Sequence, residues 1–377
     1  MTIDEFRSRL FRNGTAMFFI GLITLLSLMA LFAFFFIPDK SWNSNQHNPQ
    51  LTLKHPLFSQ DCVIVHEGAK HKEGIIKTLF KGKRQNKQFI PYDSIEVERE
   101  EVKVYFEGLE NYYPLNYLIQ HQQYNLDAEK TESSKASSPN NHIEEKVYTV
   151  NKTFILGTDK FGRDVVSRLI LGLRISLVVG FLAVMVSVLI GIGIGSIGGY
   201  FGGYLDRIVM LIINTAWSIP TLLLAFAIII AFGKGVLTII LAIGLTMWVD
   251  VARVVRGEVL SKKNELFVQS ARVLGLSHSR IIFKHILPNI IGPILVIGAA
   301  NFATAILVEA GLSFLGIGVQ PPAPSLGTML KENYAYITGG FVYLALFPIL
   351  TIMLLVLSFN MIGTSLRDVF DVKSESK

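Results

Sequence analysis

The chain has 377 residues, of which 51% are hydrophobic and only 17% charged, and its mean hydropathy is +0.45. Soluble domains carry about 25% charged residues, so an ordinary water-soluble enzyme is excluded. The net charge of +6 does not indicate nucleic acid: the basic groups flank apolar runs, as the positive-inside tendency of membrane proteins requires. One cysteine, Cys62, excludes an intrachain disulfide and a Cys-based zinc or iron–sulfur centre.

Charge is unevenly placed. Residues 38–150 hold 14 Lys/Arg and 16 Asp/Glu, whereas the other 264 residues hold 21 and 13. This division predicts a polar insert in an apolar, all-α polytopic membrane protein. The N-terminal tail and first span occupy 1–37, the insert 38–150, and a core with the remaining spans 151–377.

A bilayer core about 30 Å thick needs roughly 20 apolar residues in a helix. Met17 to Ile37 is such a run, preceded by Arg7, Arg9 and Arg12. It is too long for a signal-peptide core and no small-residue cleavage site follows, so it is read as an anchor. The insert alternates short apolar runs with turns. Residues 62–65, 88–90 and 102–106 read as strands, and 127–146 as a disordered linker. A Lys70–Lys87 cluster reads as a solvated face. His66-Glu67 with His71 has the wrong spacing for a zinc-protease helix, which needs His at i and i+4.

Four further spans are Ile175–Ile197, Ile208–Phe232 with a kink at Pro220, Ile290–Val308 and Phe341–Ile362. A shorter run, Val236 to Val249 extended to about Ala252, completes six transmembrane helices. Gly193-Ile194-Gly195-Ser196-Ile197-Gly198 matches a dinucleotide fingerprint literally but lies inside a span. Gly191, Gly195 and Gly199 are instead small residues four apart, which permit close helix packing. Gly157 to Gly162 is followed by Arg163-Asp164, so no P-loop is completed. No nucleophilic triad presents itself, and no cofactor or metal site is expected.

Lys and Arg concentrate in the N-terminal tail, the 250–285 loop and the C-terminal tail, which six spans place on one side, read as cytoplasmic. The loop 253–289 carries the informative pattern. Residues 265–274 read as a short amphipathic helix with Phe267, Ser270, Ala271 and Leu274 on one face. Gly275 fits the position past its end, Ser277 caps a second helix, and Pro288 opens the next span. Such a helical pair at the ends of two spans is a lever, although an interfacial helix on lipid wants the same apolar face. Glu309 sits near the outer end of the fifth span, where an acidic group is a pathway candidate or an interfacial residue held by Ser or Thr. Asp250 and Arg253 read as a local pair.

Gln269-Ser270-Ala271-x3-Gly275 with His285-Ile286-Leu287-Pro288-Asn289 resembles the EAA loop of binding-protein-dependent ABC permeases. Thr158-Asp159-x2-Gly162-Arg163-Asp164, Gly199-Tyr200-Phe201-Gly202-Gly203, Glu309-Ala310-x-Leu312-Ser313-Phe314-Leu315-Gly316 and Leu366-Arg367-Asp368 resemble its dipeptide/oligopeptide/nickel subfamily. Arg12-Asn13-Gly14-Thr15-Ala16-Met17 and the long loop after the first span resemble its C-type permeases. Departures are Gln269 for the family's glutamate, Ser270 for its alanine, Leu326 for its tryptophan, the residues near Thr364-Ser365, and the long insert.

The resemblance implies a type I ABC importer permease in a bacterial inner membrane, with both termini cytoplasmic and no enzymatic activity of its own. It implies a second homologous permease subunit, two ABC ATPase subunits docking at Phe267, Gln269, Ser270, Ala271 and Gly275, and an extracytoplasmic substrate-binding protein. Transport of di- or oligopeptides is the expectation. An ion-driven secondary transporter would want mid-span charges and repeats, and a membrane-anchored sensor would want a cytoplasmic signalling domain.

Overall fold

The computed structural model describes residues 3–66, 82, 87–97, 101–114 and 149–370. The linker at 127–146, most of the Lys70–Lys87 cluster, Glu67 and His71, and the tail from Asp371 lie outside the described residues. The chain divides into two compact units.

The first unit comprises Met1–Leu31, Gly172–Tyr334 and Ala345–Lys377. Helix α1 (Ile3–Arg12) leads into α2 (Gly14–Leu31), where the Asn13 side chain accepts from Ala16 N at 3.1 Å. α3 (Val165–Phe201) follows, then α4 (Gly203–Trp217), α5 (Thr221–Phe232), α6 (Val236–Lys262) and α7 (Leu266–Val273). The unit ends with α8 (His278–Phe314), α9 (Leu326–Asn333) and α10 (Tyr343–Phe370). Five of these helices are long and apolar enough to cross a membrane, and the pair α4–α5 makes a sixth span if its two halves are counted together. Helices dominate because backbone polar groups must be satisfied within the segment wherever water is absent.

The structure corrects three readings and extends a fourth. α4 and α5 are bent by 87°, so Pro220 is not a mild kink. It lacks an N–H and stands extended at ψ 128°, which ends one helix and starts another. Val236–Val249, the least convincing run in the sequence, belongs to a 27-residue helix that is the most buried of the spans. The second loop helix does not stop before Pro288. α8 runs through it, widening to a π-helix over Ile281–Ile286 and tightening to a 3₁₀ turn over Leu287–Ile290. Leu287 N donates to Ile282 O, and the Asn289 side-chain amide donates to His285 O at 2.6 Å, recovering acceptors near the proline. Finally, Asp250 and Arg253 do not pair. Asp250 is exposed and the Arg253 guanidinium lies 4.2 Å over Trp217.

α3 packs on α6 through its glycines. A Cβ at Gly191 would stand 2.5 Å from Val251 Cβ, one at Gly195 2.5 Å from Ala252 O, and one at Gly199 2.8 Å from Arg256 O. Any side chain there would force the helices apart. Val179, Ala183, Ile229, Ile239, Ile243 and Leu312 form the core of this unit.

The second unit comprises Phe32–Leu171 and Ala335–Leu344. It holds two three-stranded antiparallel sheets. In one, β1 (Phe58–His66) lies between β2 (Lys87–Pro91) and β6 (Thr149–Phe154). In the other, β4 (Glu101–Phe106) lies between β3 (Ser94–Val97) and β5 (Leu109–Pro114). Val63, Val65, Ile90, Val102 and Val104 join the sheets in one core. β6 crosses the boundary placed at residue 150, pairing Ser59 with Thr153 and Val63 with Thr149.

The incomplete P-loop is a buried turn of this unit. Asp159 takes a 2.6 Å ion pair from Arg163 and backbone hydrogen bonds from Phe161 and Arg163. Gly162 there has φ +69°, and a Cβ would collide with Asn48 O.

Candidate functional site: the α7 module

The α7 module is built from the ends of three helices. Residues 199–203, with φ +69° at Gly202 and +55° at Gly203, turn the chain sharply between α3 and α4. Lys263, one residue beyond α6, donates to Gly199 O at 3.1 Å. Asp206 on α4 takes two hydrogen bonds from Arg256 on α6, at 2.5 and 2.7 Å. A bidentate pair of this kind fixes orientation as well as distance.

α7 hangs from this frame. Its buried residues are Val268 and Ala271, which join Tyr200, Val255, Val259, Ile281 and Ile286 in one apolar cluster. The Tyr200 hydroxyl lies 3.0 Å from His278 Nδ1, and the Arg272 guanidinium 5.2 Å over the Tyr200 ring. Tyr200 therefore ties the end of α3 to both sides of the hinge after α7. Gly275 sits in that hinge at φ +73°, where its N–H donates to Arg272 O and Leu276 N–H to Ala271 O. This is a glycine stop in the left-handed region. Ser277 occupies the next helix's N-cap position but its side chain makes no capping bond.

The face predicted from spacing is only partly the one turned inward. Ala271 is buried, but Phe267, Ser270 and Leu274 are exposed, and Val268 takes the inner position. Leu266, Val273 and Leu274 are 79%, 88% and 77% exposed, and Phe283 on α8 is 65% exposed. Gln269 is exposed and its amide donates to Asn264 O at 2.9 Å, at the turn before α7. A glutamate could not donate there, so the departure from the family pattern adds a local bond. Ser270 Oγ bonds Leu266 O. The pairings of Tyr200 with His278, Asp206 with Arg256 and Lys263 with Gly199 escaped the sequence reading, because the partners lie 50 to 78 residues apart.

Glu309 is elsewhere in this unit and fully buried. Ser176 Oγ of α3 and Ser313 Oγ of α8 each donate to its carboxylate at 2.7 Å, and the Ser325 hydroxyl bonds it as well. Ser325 also caps α9 in a capping box with Thr328. Glu309 thus knits α3, α8 and the start of α9, and is buried rather than interfacial.

Residues 191–374 match the family described as binding-protein-dependent transport system inner membrane component. Residues 3–56 match the N-terminal TM domain of oligopeptide transport permease C. The chain is similar to a dipeptide transport system permease protein of Alkalihalophilus pseudofirmus, 42% identical over 58% of this chain and 72% of the relative. It is similar to an oligopeptide transport system permease protein of Bacillus subtilis, 41% identical over 59% and 73%. A glutathione transport system permease protein of Salmonella typhimurium is 44% identical over 58% and 71%. With its apolar spans, its Gly275-terminated loop helix and these matches, the chain belongs to the binding-protein-dependent transport system inner membrane components, the multi-pass permease subunits of ABC importers.

Proposed function

We propose that this permease pairs with a second, homologous permease to line an import pathway for di- or oligopeptides, and that α7 is its docking helix for a separate ATPase subunit. The observation that carries the docking is the exposed set Leu266, Phe267, Val273 and Leu274 on a short helix anchored by Val268 and Ala271. Apolar side chains so exposed at a polar loop mark an interaction site. The Asp206–Arg256 pair and the Tyr200–His278 bond tie the module to α3, α4 and α6, so a push on α7 is delivered to several spans at once. Closure of a nucleotide-bound ATPase pair would then shift the equilibrium between pathway orientations by its differential affinity for them.

The peptide class rests on three relatives whose names specify dipeptide, oligopeptide and glutathione transport. An extracytoplasmic binding protein would deliver the substrate, the insert 38–150 would lie outside, and both termini would be cytoplasmic. In this reading Gly191, Gly195 and Gly199 keep α3 and α6 moving as one body, and Glu309 braces α3, α8 and α9 without facing the substrate.

The test is Leu274→Asp with Val273→Asp, both at exposed positions. Copurification of ATPase subunits and uptake of labelled alanyl-peptides should fall at least tenfold, with membrane insertion unchanged. Retention of both would refute the docking role, and ATPase capture without uptake of any peptide would refute the substrate class.

A further inference from the structure

Asp250 lies next to the midpoint of α6, the most buried of the spanning helices, and yet its own side chain is exposed. Its depth follows from its neighbour. Val251 meets α3 at Gly191, where an added Cβ would stand 2.5 Å from Val251 Cβ. Residues 175–201 of α3 carry no charged side chain, and Gly191 lies within one turn of the middle of that stretch. Asp250 therefore sits deep in the bilayer rather than at its edge.

Nothing in the chain neutralises it. Among the described residues Asp250 makes no ion pair and no side-chain hydrogen bond. Arg253, one turn further along the same face, is engaged elsewhere, its guanidinium 4.2 Å over the Trp217 ring. Glu309, by contrast, is fully buried among hydroxyls. An exposed acid at this depth cannot be met by lipid, since charged side chains within a bilayer face a bundle interior or a water-filled cavity. The break between α4 and α5 points the same way independently. Trp217, Ser218, Ile219 and Pro220 are all exposed, and irregular backbone at membrane depth persists only against protein or beside water. Through Arg253, Trp217 joins this break to the face of α6 that carries Asp250.

We propose that Asp250 lines the import pathway and takes the α-ammonium of the passing peptide on its carboxylate. This rests on the import reading above and names the group by which the permease itself contacts its substrate. A metal cation would want several oxygen ligands, and no cluster of three or more His, Cys, Asp or Glu suited to a metal occurs among the described residues. A protonated amine needs only one charge-assisted hydrogen bond, and every peptide with a free N-terminus carries one. A single contact also permits release, as conduction requires.

The experiment uses the whole importer in lipid, with Cys62→Ala as the parent and Asp250→Cys as the probe. In nanodiscs, Asp250→Cys should react with water-soluble thiosulfonates at a rate within tenfold of Tyr112→Cys. In proteoliposomes, Asp250→Asn should lower uptake of labelled alanyl-alanine at least tenfold, and Asp250→Glu should stay within threefold of the parent. Asp250→Cys should regain uptake to within threefold of the parent when it carries the anionic sulfonatoethyl group, and should stay at least tenfold down with the cationic trimethylammonioethyl group. A merely structural carboxylate would not sort the two adducts by charge. A cysteine that water-soluble reagents cannot reach would place Asp250 against protein and overturn the proposal. Parental uptake by Asp250→Asn, or equal uptake by the two adducts, would overturn it as well. A parent that imports no peptide would overturn the import reading and this proposal with it, and is told apart from those failures because the parent itself is silent.

Discussion

A lysine placed over an aromatic ring and away from water does not behave as a surface lysine. The depressed value of about 8 for Lys152 means that the folded state disfavours its charge. That cost is present below pH 8 and disappears as pH rises from 8 towards the ordinary 10.4. The unit carrying β6 should accordingly gain stability across that window, read as slower hydrogen exchange along β1 and β6. Acylation of Lys152, followed by mass spectrometry, should reach half its maximal rate near pH 8, about two units below the ordinary lysine value. Glu309 is held differently, by the hydroxyl groups that surround its carboxyl. Glu309→Ala would leave the hydroxyls of Ser176 and Ser313 without their acceptor, at about 1–3 kcal/mol for each group left unsatisfied. Glu309→Gln, which keeps one acceptor oxygen, should lose much less, and the difference should appear in thermal unfolding in detergent. The acidic residue itself was plain in the sequence. Its three hydroxyl partners were not, since Ser176 is 133 residues away.

Helices here are specified as much by what is missing from them as by what they carry. Gly195→Val should lower the melting temperature markedly, because its side chain would meet Ala252 O at 2.5 Å, and overpacking of this kind costs about 1–3 kcal/mol. Gly193→Ala on the same helix meets nothing within 4 Å and serves as the matched control. Gly275 presents a different constraint. Open space surrounds its missing side chain, and only its φ of +73° stands against substitution. Gly275→Val should strain the hinge by about 1–3 kcal/mol and reduce ATPase-coupled uptake while membrane insertion stays normal. The spacing rule found α7 and its stop but misassigned part of its inner face. Over eight residues, two apolar stripes fit equally well, and only the cluster with Tyr200 and Ile281 selects Val268. The break at Pro220 was visible as a residue, whereas its 87° magnitude was not.

At the scale of the molecule, the arrangement of spans predicts where each surface faces. With Cys62 replaced by Ala, single cysteines at Tyr112 and Leu274 report the two sides. A membrane-impermeant maleimide should label Tyr112→Cys in intact spheroplasts and Leu274→Cys only after permeabilisation. Labelling in the reverse pattern would overturn the proposed orientation and the docking of α7 together.

The apolar runs, the flanking Lys and Arg and the motif order in the sequence determined that this is a polytopic permease, because lipid imposes a length and a polarity that composition alone can meet. Tertiary structure decided which runs are central. α6 is the least apolar of the five long spans and yet the most buried, since a helix enclosed by other helices has no lipid to match. It also decided the sheets of the second unit, where β1 reaches across more than 80 residues to pair with β6, and the cavity that this pairing closes around Lys152 and Asp164. Local patterns report what a segment needs from its solvent. Which other segment supplies it is settled only when the chain closes on itself.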